Sequence, residues 1–299
     1  MGIVTKIKNR TKWLISFPMD LVYRVIYPNP IIKGADETVE KILENGCSVS
    51  RYGDGELNIM IGNSIDFQHS DRRLAEKMKA ILQYDDERFL VCLPDNFYDN
   101  PSCAQESRVF WKRFMRKHRR DWGKLLKRGK IYYDASISRF YMRYADKSGV
   151  PAYLEKLKKI WEGRDIVFVE GEKSRLGVGN DLYDNAKSIK RILCPAENAF
   201  DYYDEIVETV KSKVSKDVLI LIALGPTATA MAYDLYRAGY QAIDMGHVDI
   251  EYEWYKMGAT EKVPVRGKYT NESTMGKIIG ELASDSEFNS QIIAHIGEK

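Results

Sequence analysis

Two carboxylates stand two residues apart in a glycine-containing turn, where Gly53 precedes Asp54 and Gly55 separates it from Glu56. Carboxylates at this spacing can converge on one cation, and Mg²⁺ and Mn²⁺ bind through carboxylate and phosphate oxygens while keeping some of their water. The glycines also let the backbone approach a ligand closely. The alternative is structural, because aspartate favours the start of a helix. We predict a site for Mn²⁺ or Mg²⁺ at Asp54 and Glu56, with Arg51 at the head of the same turn.

A second acidic segment contains four ionisable residues at every other position, namely His247, Asp249, Glu251 and Glu253. If residues 247–253 are extended, alternation places all four side chains on one face. A buried row of this kind would be costly without a function. A lone histidine is usually structural, but these neighbours favour chemistry, with Asp249 and His247 as the catalytic candidates.

A glycine-containing segment at residues 170–181 carries Gly177 and Gly179 together with Lys173 and Arg175. Backbone amides and cations of this kind can cradle phosphates. The segment matches neither G-x-G-x-x-G nor the Walker A motif. It predicts either a phosphate contact, with Arg175 as the binding candidate, or a plain surface loop.

Residues 224–229 form a Gly-Pro turn that leads into an alanine-rich stretch, with Gly225 and Thr227 at the turn. The amides and dipole at the start of a helix make an anion site after a buried strand. The same residues would also make a good structural cap. Gly225 and Thr227 are therefore candidates for binding a phosphate group.

Each of these segments directly follows a short apolar run. The runs span residues 47–51, 89–93, 131–134, 165–169, 191–194, 218–224 and 241–245. Their nearly continuous aliphatic character is typical of strands buried on both faces of a parallel sheet, and helical patterns lie between them. The alternation predicts an α/β fold, a Rossmann-like, mostly parallel, doubly wound sheet with helices on both faces. Ligands bind such sheets at the carboxyl ends of the strands.

The 299 residues are 44% hydrophobic and 30% charged, with a net charge of +3, which indicates one large globular domain. The even charge balance argues against a nucleic-acid partner. The four cysteines match no zinc-binding spacing, so a reducing cytoplasm is expected.

The N-terminal segment is basic and then apolar. Pro18, Asp20 and Arg24 interrupt the apolar stretch at residues 13–26, so it is too polar to span a bilayer, and no signal-peptide cleavage site follows. It predicts either peripheral contact with an anionic membrane or packing on the enzyme or on a partner chain, including a second copy. The basic cluster at residues 112–120 is either a solvated helix face or a contact for an anionic surface.

Taken together, residues 51–56, 177–182, 224–229 and 246–254 resemble, in their order and spacing, the GT-D type glycosyltransferases, a bacterial family first known as a domain of unknown function. The resemblance spans about residues 35 to 262. It implies an N-terminal segment at residues 1–34 and a transferase domain at residues 35–299. It also implies a D-x-E metal motif at Asp54 and Glu56, a UDP-sugar donor carrying glucose or a similar hexose, and an acceptor glycan on a bacterial surface glycoprotein or polysaccharide.

In such a reaction, a divalent ion would stabilise the charge that develops on the diphosphate leaving group. Fixed positive potential and backbone amides would assist it. The candidate donor-binding residues are Arg51, Gly53, Arg175, Gly225 and Thr227. Asp249 is the first choice for the base that accepts the acceptor hydroxyl's proton, and His247 is the second.

Two other functions fit the same residues. A metal-dependent nucleotide or phosphate-ester hydrolase would release sugar without an acceptor. A non-catalytic nucleotide-binding subunit would bind UDP without turnover. The expected location is the cytoplasm, or the inner face of the membrane if the N-terminal segment binds lipid.

Overall fold

The computed structural model describes residues 19–276 and 285–297. Nine strands form one sheet in the order β1-β4-β3-β2-β8-β7-β5-β6-β9, and every pairing is parallel. The strands are β1 (Ile31–Ile32), β2 (Ser48–Arg51), β3 (Phe89–Leu93), β4 (Ile131–Asp134), β5 (Asp165–Gly171), β6 (Ser188–Cys194), β7 (Leu219–Ala223), β8 (Gln241–Asp244) and β9 (Ile292–His295).

Helices connect the strands. They are α1 (residues 19–26), α2 (Ala35–Asn45), α3 (Asp54–Met60), α4 (Arg72–Gln83), α5 (Gln105–Leu125), α6 (Val150–Lys158), α7 (Tyr203–Lys213), α8 (Pro226–Arg237), α9 (Val248–Met257) and α10 (Ser286–Gln291). The seven apolar runs of the sequence coincide with β2 to β8, so the predicted parallel α/β sheet is confirmed. The edge strands β1 and β9 are additions to it.

Both faces of the sheet are buried, because alternate residues of each strand belong to different hydrophobic cores. In β5, Val167 and Val169 pack with α3, α4, α5, α7 and α8, whereas Ile166 and Phe168 pack with α2, α6 and α9. Strands buried on both sides need aliphatic residues at every position, as the sequence of β7 shows. The sheet is therefore doubly wound, as predicted.

The chain reverses direction across the sheet at β2. From β2 it proceeds to β3 and β4 on one side, and it later fills the other side with β5 to β8. The carboxyl ends of β2 and β8 therefore meet at the topological switch point, which is where open α/β sheets bind ligands.

One expectation about local structure is wrong. Residues 247–253 are not extended, because α9 begins at Val248. Gly246, with a φ of +47°, breaks the chain direction after β8, and Gly258 ends the helix in the left-handed region with a φ of +62°. Asp249 and Glu251 lie in the first helical turn, where the helix dipole favours acidic residues. The ionisable residues that alternate in the sequence therefore belong to a helix, so their side chains do not share one face.

Helix α1 lies against α5. Asp20 accepts a hydrogen bond from Arg119 Nε at 2.8 Å, and the Tyr27 ring occupies the space beside Gly123. Within the described residues, no helix is long and apolar enough to cross a membrane. The basic residues expected to contact a membrane at residues 6–12 lie outside the described part of the chain.

Candidate active site

A cleft of about 920 Å³ runs along the carboxyl edge of the sheet. Its walls come from the segments that follow β2, β3, β4, β5, β6, β7 and β8. The segment after β2 contributes residues 51–56, and the segment after β8 contributes Asp244, His247 and Asp249. The fold thus brings two of the predicted segments together at the switch point.

Asp54 and Glu56 lie in the first turn of α3, with Gly53 as its N-cap. Glu56 Oε2 accepts a hydrogen bond from the Gly53 amide at 2.7 Å, so Glu56 also caps the helix. Asp54 receives hydrogen bonds from the amides of its own turn. Neither carboxylate forms an ion pair with any described residue.

No ion pair therefore neutralises these carboxylates, and the nearby charges of Arg139 and Arg51 offset only part of the cost of burying them. Burial raises the pKa of Asp54. Burial, together with the neighbouring Asp244 carboxylate, raises the pKa of Glu56 to about 7. A cation at this position would relieve both effects, because an opposite charge favours the ionised form.

Asp54 and Glu56 fit a divalent ion only if water or a ligand supplies its other coordinating atoms. Across the described ranges, no group of three or more His, Cys, Asp and Glu residues could hold a metal ion. A hard ion such as Mg²⁺ commonly takes one or two carboxylates and completes its shell with water and substrate phosphates. Asp54 and Glu56 match that set, so a metal here would be held jointly with a diphosphate.

Arg51 is bound entirely by protein groups. Its guanidinium contacts the Asp244 carboxylate at 2.9 Å and donates to the carbonyls of Asp244 and Ala135 and to Ser138 Oγ. It also occupies the space where a Cβ at Gly246 would lie. Arg51 therefore ties the ends of β2, β4 and β8 together at the wall of the cleft, and its contact with the donor stays a prediction.

Asp249 is fully buried and engaged at both oxygens. Oδ1 accepts hydrogen bonds from the Gly177 amide and from Asn180 Nδ2, both at 2.8 Å, and Oδ2 pairs with Lys268 Nζ at 2.6 Å. Glu253, one helical turn further on, contacts the same Lys268 and Asn180. Asp249 thus holds the loop after β5 in place, and its role as the base stays a prediction.

Glu251 lies on a different side of α9. Its Oε2 accepts hydrogen bonds from the amides of Tyr141 and Met142 at 2.9 and 2.8 Å. The four ionisable residues of this segment were expected on one face, but the helix separates Glu251 from Asp249 and Glu253. The expected acidic row does not exist.

His247 lies in the cleft between two polar partners. Its Nδ1 lies 3.1 Å from Arg139 Nη2, and its Nε2 lies 2.7 Å from Asn271 Oδ1. Because Arg139 only donates, we assign Nδ1 as the acceptor and Nε2–H as the donor. Burial, together with the positive charge of Arg139, lowers the pKa of His247 to about 4, so the imidazole is neutral at pH 7.

A charged cluster beside His247 was missed at the sequence level. Arg139 forms an ion pair with Glu272, and Glu272 also accepts a hydrogen bond from Lys262 Nζ at 2.6 Å. These positive charges hold the pKa of Glu272 well below its usual range. The residues come from two distant, irregular segments with no recognisable pattern, so only the fold reveals their proximity.

The three remaining candidates for donor binding lie at different distances from the cleft. Gly225, the N-cap of α8, lines the cleft with a φ of +51°, and Phe67 fills the space where its Cβ would lie. Thr227 is buried below the surface beside Gln68. Arg175 does not line the cleft.

The Arg175 guanidinium lies 4.7 Å from the ring centroid of Phe288 and 3.2 Å from Asp285 Oδ2. Both partners belong to the α10 region at the far edge of the sheet. The expectation that Arg175 contacts the donor therefore gains no support from its position.

Comparisons with known proteins identify the class that this fold and site define. Residues 49–273 match the family described as the glycosyltransferase GT-D fold. The chain belongs to this family of glycosyltransferases, as its motifs predicted.

Two curated relatives are streptococcal. The chain is 42% identical over 287 residues to the glycosyltransferase GlyD of Streptococcus pneumoniae serotype 4, covering 96% of this chain and 34% of the relative. It is 38% identical over 265 residues to the probable glycosyl transferase Gly of Streptococcus gordonii, covering 88% of this chain and 38% of that protein. The chain thus spans about a third of the length of these relatives.

Two solved structures share the fold. One, described as the highly conserved domain of unknown function 1792 with a distinct glycosyltransferase fold, superposes with a TM-score of 0.87 at 43% identity and covers 93% of this chain and 100% of its own. Another, a new glycosyltransferase of the same domain type from Streptococcus sanguinis, gives a TM-score of 0.86 at 37% identity and covers 90% of this chain and 100% of its own.

Proposed function

We propose that the chain transfers a hexosyl group, such as glucose, from a UDP-sugar to a glycan acceptor in a reaction that requires Mn²⁺ or Mg²⁺. The observation that carries this proposal is the pair Asp54 and Glu56, two buried carboxylates without an ion-pair partner among the described residues, at the switch point of a glycosyltransferase fold. A protein retains such charge at a cost, and a cation brought with a diphosphate would remove that cost.

Each part of the site has a role in this proposal. When bound at Asp54 and Glu56, the metal would supply Lewis-acid stabilisation of the diphosphate leaving group. The first turn of α8, entered through Gly225, directs the helix dipole at the cleft, and the Thr227 amide suits a phosphate oxygen, since Pro226 has no N–H and the Ala228 amide donates to the Gly225 carbonyl. Gly53 keeps the start of α3 open to a ligand by having no side chain.

Either candidate base must first give up a contact with a cation. Asp249 would have to release Lys268 before it could accept a proton. His247 would have to lose its hydrogen bond from Arg139. Since the side chains of His247 and Arg139 are 25% and 28% exposed in the cleft, binding of an acceptor could displace their contact more readily than the buried Asp249 pair.

Thermal unfolding with nucleotide-sugars tests the donor and the metal together. We expect UDP-hexoses, but not GDP-mannose, to raise the unfolding temperature in Mn²⁺ and to lose the effect in excess chelator. A ligand at 100 times its Kd adds about 2.7 kcal/mol of stability. Equal protection with and without chelator would contradict metal dependence, and protection by none of the UDP-sugars would contradict the donor.

Product analysis separates the alternatives. Transfer to a glycan acceptor in lysate fractions supports the transferase. Sugar release at the same rate with and without acceptor indicates the hydrolase, and binding without turnover indicates a nucleotide-binding subunit.

We also propose peripheral contact between helix α1 and an anionic membrane, on the cytoplasmic side. Leu21, Val22 and Val25 are exposed, Val25 to 84%, and Arg128 donates a hydrogen bond to the Ile26 carbonyl at the end of the helix. Apolar side chains beside cations favour the interface of anionic lipid.

Vesicle sedimentation tests this contact. Vesicles of phosphatidylglycerol, but not of phosphatidylcholine, should bind the chain, and Val25→Asp should weaken binding more than Val109→Asp on α5. A concentration-dependent dimer that is lost with Val25→Asp would instead assign this face to a second copy of the chain.

A further inference from the structure

The cleft has a second half, on the β3 and β4 side of Asp54 and Glu56, that the donor proposal does not use. Helix α5 begins there, and Phe110 and Trp111 line the cleft. Phe110 is 47% exposed. A large aromatic side chain that faces a cleft instead of the core is typical of a binding surface.

The Phe110 ring is held in place by other aromatic rings. It stacks on Phe114 with ring centroids 6.0 Å apart and planes 15° apart, and it meets the edge of Trp111 at 5.4 Å. Trp111 and Phe114 themselves pack against the hydrophobic core. A rigid aromatic surface loses little conformational entropy on binding, which favours contact with a ligand.

Polar groups lie close to this aromatic wall. Asn96, at the end of β3, is 9% exposed, lines the cleft and makes no side-chain hydrogen bond to any described residue. An amide that lines the cleft can both donate and accept hydrogen bonds, so it suits a ligand that carries hydroxyl groups. Ser107, one helical turn before Trp111, adds a hydroxyl on the same side of the cleft.

An apolar wall facing polar groups matches one class of ligand. A pyranose ring has a face of C–H groups and an edge of hydroxyls, so it can pack on Phe110 and hydrogen-bond to Asn96 at the same time. A hydrocarbon would leave Asn96 unsatisfied, and a free anion would gain nothing from Phe110.

We propose that Phe110, Trp111, Asn96 and Ser107 form the subsite for the acceptor sugar. This inference rests on the proposed function and names the part of the cleft where the acceptor binds. The exposure of Phe110 leaves the subsite open to solvent, as an acceptor joined to a longer glycan requires. The start of α8, which suits the diphosphate, lies on the opposite side of Asp54 and Glu56.

Saturation-transfer NMR with methyl β-glycosides of glucose, galactose and N-acetylglucosamine, in the presence of UDP and Mn²⁺, tests the subsite. At least one glycoside should receive saturation on its ring protons in the wild type. Phe110→Ala should weaken glycoside binding roughly tenfold, which corresponds to about 1.4 kcal/mol. Val109→Ala, which removes an exposed apolar side chain from the same helix outside the cleft lining, should leave it unchanged.

The UDP signal in the same spectra distinguishes the outcomes. If Phe110→Ala removes UDP saturation and spares the glycoside, Phe110 stacks on the uracil ring and the subsite assignment is overturned. It is also overturned if no glycoside binds the wild type or if both variants bind alike. Failure of the proposed function would appear separately, as absence of metal-dependent protection by UDP-sugars.

Discussion

Two acidic turns lie side by side at the centre of the sheet and differ in one respect. Asp54 and Glu56 follow β2, and Asp249 and Glu253 belong to the helix that follows β8, the neighbouring strand. The first pair has no cationic partner among the described residues, whereas Lys268 pairs with both members of the second.

The difference shows that the role of a carboxylate depends on which side chains the fold places beside it. Lys268 lies outside any regular element and reaches Asp249 and Glu253 from the C-terminal part of the chain. Its charge and the Asn180 amide satisfy one pair, which then serves packing. The pair left without such partners is the one available to a ligand.

The largest effect should follow from removing charge at the first turn. Asp54→Asn or Glu56→Gln should lower the transfer rate roughly 10³-fold or more, because loss of a metal ligand removes several kcal/mol of transition-state stabilisation. The unfolding temperature of the apo protein should stay the same or rise, since burial disfavours both charges. Paired measurements of rate and unfolding temperature check this. Full activity in either variant would contradict a role for Asp54 and Glu56 in metal binding, and with it the contrast between the two turns.

At the second turn the expected effect is on stability. Asp249→Asn should lower the free energy of unfolding by about 3 kcal/mol, because it leaves Lys268 buried beside a weaker partner. Urea unfolding gives this value. The double variant Asp249→Asn with Lys268→Met should recover part of the loss. If Asp249→Asn instead keeps its stability and donor binding but loses kcat, Asp249 is the base, as the sequence predicted.

The sequence predicted seven strands of the sheet and singled out Asp54 and Glu56, whose metal binding stays a prediction. Aliphatic runs such as Leu219–Ala223 identify strands buried on both faces, and the helices between them indicate parallel pairing, but the order of the strands and the edge strands β1 and β9 were not predicted. The pair at Asp54 and Glu56 was found because its spacing is local. The helical state of residues 247–253 was missed because alternating polarity was given more weight than the glycines at both ends.

The partners of these residues could not be predicted. The ion pair of Lys268 with Asp249 and the contact of Arg139 with His247 join segments that have no common pattern. Arg175 was expected near a phosphate because it follows β5, but its φ of +50° and its contact with Phe288 direct it elsewhere. Contacts of this kind depend on the folded arrangement of the whole chain.

A comparable effect on the free energy of unfolding is expected when the pH falls. The pKa of His247 is lowered to about 4 from 6.5 by burial and by Arg139, with Glu272 and Asn271 opposing the shift. The unfolded chain therefore binds the proton first as pH falls. The stability contributed by neutral His247 is complete above about pH 6.5 and is lost between there and about pH 4.

This loss should amount to roughly 3 kcal/mol, because the pKa falls from 6.5 to about 4 and each pKa unit corresponds to about 1.4 kcal/mol. The difference in unfolding free energy between the wild type and His247→Gln, measured by urea unfolding from pH 7.5 to 4.5, should show it, because Glu56, whose pKa is raised to about 7, changes stability in the opposite direction in both proteins. His247→Gln keeps an acceptor and a donor but does not titrate, so it should lack this loss. An equally steep curve for this variant would assign the acid sensitivity to other groups.

The smallest effect should separate the two members of the second turn. Glu253 shares Lys268 and Asn180 with Asp249, but its side chain remains 14% exposed, whereas that of Asp249 is 1% exposed. In the Glu253→Gln variant, water can therefore replace part of the lost ion pair with Lys268, and the glutamine oxygen can still accept a hydrogen bond from Lys268. We expect a loss of about 1 kcal/mol, typical of a hydrogen bond to a charged group that solvent can reach. High salt should reduce this loss and leave that of Asp249→Asn nearly unchanged, since buried pairs are screened less. Urea unfolding at low and high salt measures both. If the two variants lose equal stability at both salt concentrations, Asp249 and Glu253 contribute equally to the pairing with Lys268. The comparison with Asp54 and Glu56 would then be between two groups of residues, with no distinction between Asp249 and Glu253.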